Sequence, residues 1–281
     1  MTKKISNPLK RKIIQICAFG FCNPFMKNFF SGRLYSGKWK HFCAPGLNCY
    51  SCPAAAFSCP IGALQAVQGS MEFNASFYVA GLLAAFGVFL GRAVCGFLCP
   101  FGLVQELLHK IPSPKIKAPR ILRFAKYALL ALFVLILPAA DTNYAGLGTP
   151  AFCKWICPAG TLEAGLPLAA ANQGVRASLG ALFALKFFVL ALVLVASVFC
   201  ARFFCKALCP LGAVYGFFNP FSFYRLNFQK SKCVSCKKCA AVCPMDIDPA
   251  KSQNSFECVR CNKCADACPT GAILLGFLKG D

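Results

Sequence analysis

Charge is what this chain has least of. Charged residues make up 14% of its 281 positions, where a soluble domain carries about 25%. Acids are scarcer still, 9 against 30 Lys and Arg. The deficit is concentrated in long apolar runs, which excludes an ordinary soluble fold. A basic excess can signal a nucleic-acid binder, but here the positive charge lies in blocks beside the apolar runs. That is the pattern of cytoplasmic membrane flanks and argues against nucleic acid as a partner. Histidine is nearly absent: there are only His41 and His109, and no C-x-x-C-H. Covalent c-type haem is thereby excluded, and a bis-histidine haem needs both rings within reach. No phosphate loop and no Ser–His–Asp or Cys–His group is present, so no catalytic site of a stand-alone enzyme is read here.

Cysteine, by contrast, is abundant, at 21 residues. Small secreted chains use such counts for disulfides, but here the total is odd and the spacings repeat. Residues 233–244, "CVSCKKCAAVCP", and 258–269, "CVRCNKCADACP", each read C-x2-C-x2-C-x3-C-P. In two-cluster ferredoxins with this spacing the fourth cysteine ligates the other cluster. One [4Fe–4S] cluster is therefore assigned to Cys233, Cys236, Cys239 and Cys268, and a second to Cys258, Cys261, Cys264 and Cys243. Zinc also uses C-x2-C pairs, but two complete repeats ending in Cys-Pro make it a poor competitor. Lys230, Lys232, Lys237, Lys238, Arg260 and Lys263 surround these motifs, either raising cluster potential or docking an acidic redox partner, or simply as solvated side chains.

Three apolar runs, near 77–94, 122–140 and 180–199, have the length of about 20 residues that a bilayer requires. A weaker run at 13–30 is broken by Pro24. Its basic start resembles a signal peptide, but no small-residue cleavage site follows, so it reads as a retained helix or a re-entrant segment. Between Arg92 and Lys126 there are seven bases and one acid, which places that loop in the cytoplasm. Residues 42–90 carry no Lys or Arg, and the loop at 141–179 is balanced, so both face outward. Arg202, Lys206 and Arg225 return the chain inside. The expected topology is a multi-pass protein of a prokaryotic inner membrane, with the ferredoxin segment and both termini cytoplasmic. A fully crossing 13–30 conflicts with Lys27, Arg33, Lys38 and Lys40, which it would leave outside.

Cys-Pro-x-Gly occurs four times before the ferredoxin segment, at Cys59, Cys99, Cys157 and Cys209. Three copies have a partner four residues earlier, Cys95, Cys153 and Cys205. The first instead has Cys49 and Cys52 in "NCYSCP". By the orientation above the copies alternate outside, inside, outside, inside, which makes residues 1–225 a membrane domain built on a tandem repeat (about 43–110 and 146–220), followed by a ferredoxin domain at 226–281. The expected fold is a membrane α-helical bundle of about four transmembrane helices, with a small α+β two-cluster domain at the C-terminus.

A cysteine at the N-cap with proline at the first helical position starts a helix without wasting a backbone donor. The free N–H groups and the positive end of the dipole then face an anionic ligand. Cys95, Cys99, Cys205 and Cys209 are expected to meet as an inner cluster site. Cys49, Cys52, Cys59, Cys153 and Cys157 are the pool for an outer one, with Cys43 in reserve. Such sites add one or two clusters to the ferredoxin pair. A redox-active dithiol competes for the inner four. Disulfides or plain packing compete for the outer set. Cys17, Cys22 and Cys200 lack the motif and read as packing residues. Gln65, Gln105 and Glu163 each stand six residues after a Cys-Pro cysteine and either line a quinone head-group site or are ordinary helix-surface polarity. Lys186, inside an apolar run, is a functional candidate or snorkels to the interface.

With "CGFLCP", "CKALCP" and both ferredoxin repeats together, residues 10–275 resemble the NapH/NosR-type family of membrane ferredoxins. The resemblance implies electron transfer between a cytoplasmic donor or acceptor, or a quinone pool, and a reductase complex or enzyme on the other side. "NCYSCP…SCPIG" and "CKWICPAG" are additions to the family pattern, and no extracytoplasmic flavin domain is read here. A membrane redox or iron sensor, a maturation factor, and a thiol–disulfide relay through Cys153 and Cys157 are the alternative classes. The bilayer core is about 30 Å thick, too far for one tunnelling step between faces, so a membrane electron path requires motifs sunk below the surface, an intermediate carrier or a partner subunit.

Overall fold

The structure, a computed structural model, describes residues 8–69, 74–141 and 148–277. The start of the second repeat unit, read at 146, lies outside the described residues. In chain order the helices are α1 Pro8–Cys22, α2 Pro60–Gln68, α3 Asn74–Leu90, α4 Ala93–Phe97, α5 Pro100–Leu108, α6 Leu122–Ala140, α7 Ala151–Trp155, α8 (158–171), α9 Ala181–Phe199, α10 Phe203–Ala207 and α11 Pro210–Phe218. Short helices α12 Lys238–Ala241 and α13 Lys263–Ala267 lie in the ferredoxin segment, between strands β1 Tyr224–Phe228 and β2 Ile273–Phe277. The strands pair antiparallel, with Leu226 opposite Leu275.

Helices α6 and α9 are each 19 residues and apolar enough to cross a membrane. At 1.5 Å per residue they measure about 28 Å. Only 17% of each apolar window is buried, so Leu132, Ile136, Leu185 and Phe188 face outward. A core helix of a soluble domain hides its apolar residues; these present them, which fits a lipid surrounding. Of the four spans expected, the described residues give these two at full length. Helix α3 has 17 residues and stops at Gly91, which has φ 55°. A Cβ there would lie 2.6 Å from Asn219 Oδ1, so only glycine makes this turn. Helix α1 has 15 residues and ends ahead of Asn23-Pro24, as a residue preceding proline disfavours. Within α6 the stretch Leu130–Ile136 is π-helical and leads into Pro138, and Thr161–Gly165 does the same before Pro167. Proline has no N–H and crowds the carbonyl four residues back, and the wider turn makes room for it.

The short helices that follow the Cys-Pro pairs pack inside the frame of longer ones. Helix α11 lies against α3, α6 and α2, α5 against α9 and α1, and α8 against α9. The ferredoxin segment docks on the end of this bundle where α3 turns. Asn219 Nδ2 donates to the carbonyls of Ser255 and Cys258 at 2.8 and 2.7 Å, and Arg123 donates to Met245 and Asp246 carbonyls. Lys206 pairs with Asp246. Gly96 of α4 is pressed on the ligand loop so closely that a Cβ would meet Val259 O at 2.4 Å. Overpacking of this kind costs about 1–3 kcal/mol. Gly96→Ala is therefore expected to lower the thermal unfolding midpoint of detergent-purified protein; an unchanged midpoint would show that the loop yields freely.

Candidate metal centres

Four copies of one backbone conformation build the membrane sites. Cys59, Cys99, Cys157 and Cys209 are all N-caps in extended conformation, with ψ between 106° and 128°, and each is followed by proline at the first helical position. The glycine three residues on turns its N–H back to the sulfur: Gly160 to Cys157 at 3.5 Å and Gly212 to Cys209 at 3.4 Å. Gly62 and Gly102 do the same for Cys59 and Cys99. In the last three copies the preceding cysteine sits on a five-residue helix, and the cap cysteine's N–H reaches back five residues to the carbonyl of Val94, Phe152 or Phe204. The first copy replaces that helix with a loop tied by Ala44 N–H to Ser58 O.

These units meet crosswise, first half with second. Gln105 donates to Cys205 Sγ at 3.2 Å and accepts the Phe204 N–H at 3.0 Å. Gln65 repeats both bonds with Cys153 Sγ and Phe152 N–H, at 3.2 and 2.9 Å. Glu163 accepts the Cys49 N–H at 2.8 Å, and Tyr215, the fourth residue in this series, donates to Pro45 O at 2.8 Å. Gln65 and Gln105 are fully buried rather than exposed on a helix surface. They satisfy the helix start of the opposite repeat.

The inner four cysteines, Cys95, Cys99, Cys205 and Cys209, are thereby brought together. Burial pushes the Cys99 thiol up to about 12, with Cys205 and Cys95 adding to the rise. Burial likewise raises Cys209, beside the same neighbours. It raises Cys95 too, where Arg92 and Arg202 pull the other way. Neither arginine was read as a site residue, although each stands three positions before the first cysteine of its motif, a match visible in "GRAVC" and "ARFFC". Both are completely buried, and they cross: Arg92 Nη2 donates to Cys205 O at 3.0 Å and Arg202 Nη1 to Cys95 O at 2.9 Å.

On the other side Cys49, Cys59, Cys153 and Cys157 line one cavity of about 870 Å³, together with Cys43, Lys40, His41 and Lys186. Burial pushes Cys59 up to about 12, with Cys153 adding to it, and Glu163 is pushed up to about 7 by burial. Cys52 departs from the expected pool. Its sulfur faces Asn23 Oδ1 at 3.7 Å and it packs in a separate cluster with Ala54 and Ala55, because the turn Cys49–Cys52 points the second thiol back towards the end of α1. Lys186, half-buried, faces the cavity. His41 lines the cavity too, whereas His109 lies by Ser197 and Val198 at the far end of α9, so no bis-histidine pair forms. Cys200 is buried and Cys22 half-buried, but Cys17, read as a packing residue, is exposed.

The inner and outer sets are joined by one short segment. A Cβ on Gly46 would lie 3.2 Å from Cys99 Cα; the Leu47 N–H serves Cys99 and the next one, Asn48, serves Cys59. Buried Tyr215 neighbours Cys95, Cys99, Cys59 and Cys43.

In the ferredoxin segment Cys233, Cys236, Cys239 and Cys268 line one cavity of about 340 Å³. Cys243, Cys258, Cys261 and Cys264 line a second, smaller one. The crossing of the fourth cysteine is thus present in the fold. Ser235 and Lys237 in the first loop, and Arg260 and Asn262 at the equivalent places in the second, all have φ between 50° and 65°. These left-handed residues curl each loop so that its N–H groups face the thiols, as Ser235 N does to Cys233 Sγ at 3.4 Å.

The donor sets fit iron–sulfur cubanes. Each offers four thiols, and those of the membrane sets and of Cys233 and Cys268 carry neighbouring N–H donors suited to sulfur anions. At the outer set a Cβ on Gly160 would lie 3.5 Å from Cys49 Sγ, and one on Gly62 would lie 3.9 Å from Cys153 Sγ, filling the space the thiols surround. Among the described residues no three Cys, His, Asp or Glu side chains converge as ligands of a single ion.

The comparisons with known proteins agree with this chemistry. A family model described as a 4Fe-4S binding domain matches residues 75–119, 128–166 and 181–229, and a 4Fe-4S dicluster domain matches 224–278. The uncharacterized protein MJ0749 of Methanocaldococcus jannaschii is 32% identical over 56% of this chain and 53% of its own length. The methylamine utilization ferredoxin-type protein MauN of Paracoccus denitrificans is 29% identical over 55% and 48%. The ferredoxin-type protein NapH of Haemophilus influenzae is 26% identical over 59% and 52%. The chain thus spans about half the length of these curated relatives. No solved structure matches.

The geometry separates Cys52 from Cys59. Cys52→Ser is expected to leave the iron content of anaerobically purified protein unchanged, while Cys59→Ser removes about four irons; equal losses would return Cys52 to the ligand set.

Proposed function

Because the chain belongs with the ferredoxin-type 4Fe–4S proteins of the NapH family, we propose that it is an integral membrane electron carrier in which both membrane cysteine sets, as well as the ferredoxin segment, hold [4Fe–4S] clusters. Bound there, such clusters supply one-electron transfer. The residues of the chain position them, exclude water and fix their order in space. The observation that carries this reading is the crosswise completion of each set: Gln65, Gln105, Glu163 and Tyr215 all reach from one repeat into the cysteine motif of the other or the loop beside it. Isolated packing thiols need no such caps.

The order is linear. Cys233, Cys236, Cys239 and Cys268 lie towards solvent, with Cys236 exposed. Cys243, Cys258, Cys261 and Cys264 come next, because Gly96 of the inner motif touches Val259 and Cys261. The inner set follows, then the outer set across residues 45–48. The ferredoxin end exchanges electrons with a cytoplasmic redox protein. The outer cavity, with Lys40, His41 and Lys186 on its wall, receives a quinone head group or faces the extracytoplasmic partner of a reductase complex. Four spans, with α1 and α3 completing α6 and α9, and both termini cytoplasmic in a prokaryotic inner membrane, are part of this proposal.

Iron and acid-labile sulfide per chain test it. Protein purified without oxygen is expected to hold well above the roughly eight irons of two cubanes, and Cys99→Ala with Cys209→Ala to remove about four. A value that stays near eight and ignores both replacements would confine clusters to the ferredoxin segment.

A further inference from the structure

Two buried charge groups flank the inner cysteines, and each has a cation too many. In one, Arg92 pairs with Glu257 at 3.0 Å, and Lys126 pairs with the same carboxylate. In the other, Arg11 and Arg202 share Glu106, Arg202 at 2.7 Å. Arg92, Arg202 and Lys126 are fully buried, and Arg11, Glu106 and Glu257 nearly so. Each group therefore carries one positive charge in excess, in an interior where unpaired charge is strongly disfavoured. Something anionic has to lie between them. The crossed arginines mark the place, since Arg92 and Arg202 reach the backbone of Cys205 and Cys95.

We propose that these two groups act as positioning charges that hold a fixed positive field on the inner four cysteines and make the inner membrane centre the higher-potential one of the two. The proposal rests on the reading that those cysteines hold a [4Fe–4S] cluster. Four thiolates around an oxidised cubane carry about two formal negative charges, which the two surplus cations match. Reduction adds another negative charge, and a buried positive field favours it; charge is one of the controls on cluster potential. Among the described residues the outer set has no equivalent. Its neighbouring cations, Lys40 and Lys186, are half-buried on a cavity wall, and it has beside it a half-buried carboxyl group, Glu163, on the Cys49 N–H. The field is also assembled from four separate parts of the chain: α1 gives Arg11, the membrane repeats give Arg92, Glu106 and Arg202, α6 gives Lys126, and the ferredoxin loop gives Glu257, the residue before Cys258. An electron on the ferredoxin clusters and one on the inner centre are thus coupled through Glu257 and its two cations.

A redox titration of the full chain, followed by electron paramagnetic resonance, tests this. The inner signal is the one lost in Cys99→Ala, and the outer one is lost in Cys157→Ala. Arg92→Gln is expected to make the inner centre harder to reduce by about tenfold or more, a midpoint about 59 mV lower for one electron, and Arg92→Lys to restore most of it. Glu106→Gln is expected to move the same midpoint upward, and it carries the test if Arg92→Gln does not fold. Opposite signs separate charge from packing damage, which would move both variants alike. An inner midpoint below the outer one, or shifts of one sign in Arg92→Gln and Glu106→Gln, overturns the proposal while leaving the cluster in place. A protein with no inner signal, with iron near eight per chain, instead removes the cluster reading and this inference with it.

Discussion

A thiolate set inside an apolar bundle needs hydrogen-bond donors and counter-charge at a point where the chain has almost none to spare, and that constraint shapes the whole molecule. One Cys-Pro-x-Gly unit provides a sulfur, a free helix start and one well-aimed glycine N–H. It cannot provide four ligands, and it cannot satisfy the preceding five-residue helix, whose first N–H groups have no partner within it. Duplication solves both problems at once. The side chain six residues after each Cys-Pro cysteine lies nearly two turns into its helix and reaches the opposing repeat, so ligand completion and helix capping are the same event. Gln65 and Gln105 make identical bonds 40 residues apart in sequence because the same local geometry is presented to each.

Much of this was legible in the sequence. The spacing of the ferredoxin repeats anticipates the two cysteine quartets that line separate cavities, and the alternation of Cys-Pro motifs anticipates which pairs meet. The apolar runs at 122–140 and 180–199 became α6 and α9 nearly to the residue. What escaped is what depends on direction rather than spacing. Cys52 belongs to a C-x2-C pair, yet the turn at 49–52 points its sulfur at Asn23 instead of the shared cavity. Gln65, Gln105 and Glu163 were recognisable as a series, but a series of polar residues on short helices does not say whether it faces lipid, ligand or another helix start. Arg92 and Arg202 were used as topology markers, since basic residues at the end of an apolar run normally sit in the aqueous flank; here both are turned inward and buried.

The two membrane sets therefore have one backbone plan and different electrostatics. Around the inner set the charged side chains are cations paired to carboxylates shared with α1 and with the ferredoxin loop. Around the outer set they are a carboxyl and two half-buried lysines facing a cavity large enough for more than a cubane. A duplicated scaffold that diverges in its charges, and keeps its sulfur geometry, is suited to holding one kind of centre in two electronic settings.

Half-length helices also bear on the distance that the proposed membrane electron path has to cover. Helices α2 and α11 each have nine residues, about 13 Å at 1.5 Å per residue, and they begin at Cys59 and Cys209. Helix α2 shares a cavity wall with the start of α3, around Tyr78 and Val79. Helix α11 ends beside the other end of α3, where Phe218 meets Gly87 and Phe223 N–H bonds to Val88 O. Helix α3 has 17 residues, about 25 Å, which is close to the sum of the two shorter ones. Two helices that run to opposite ends of a third and together match its length have their first residues well inside its span. That is where residues 45–48 and Tyr215 touch both cysteine sets. On the proposed reading, the two cysteine sets are intermediate stops within the about 30 Å of a bilayer, in place of one step between its faces.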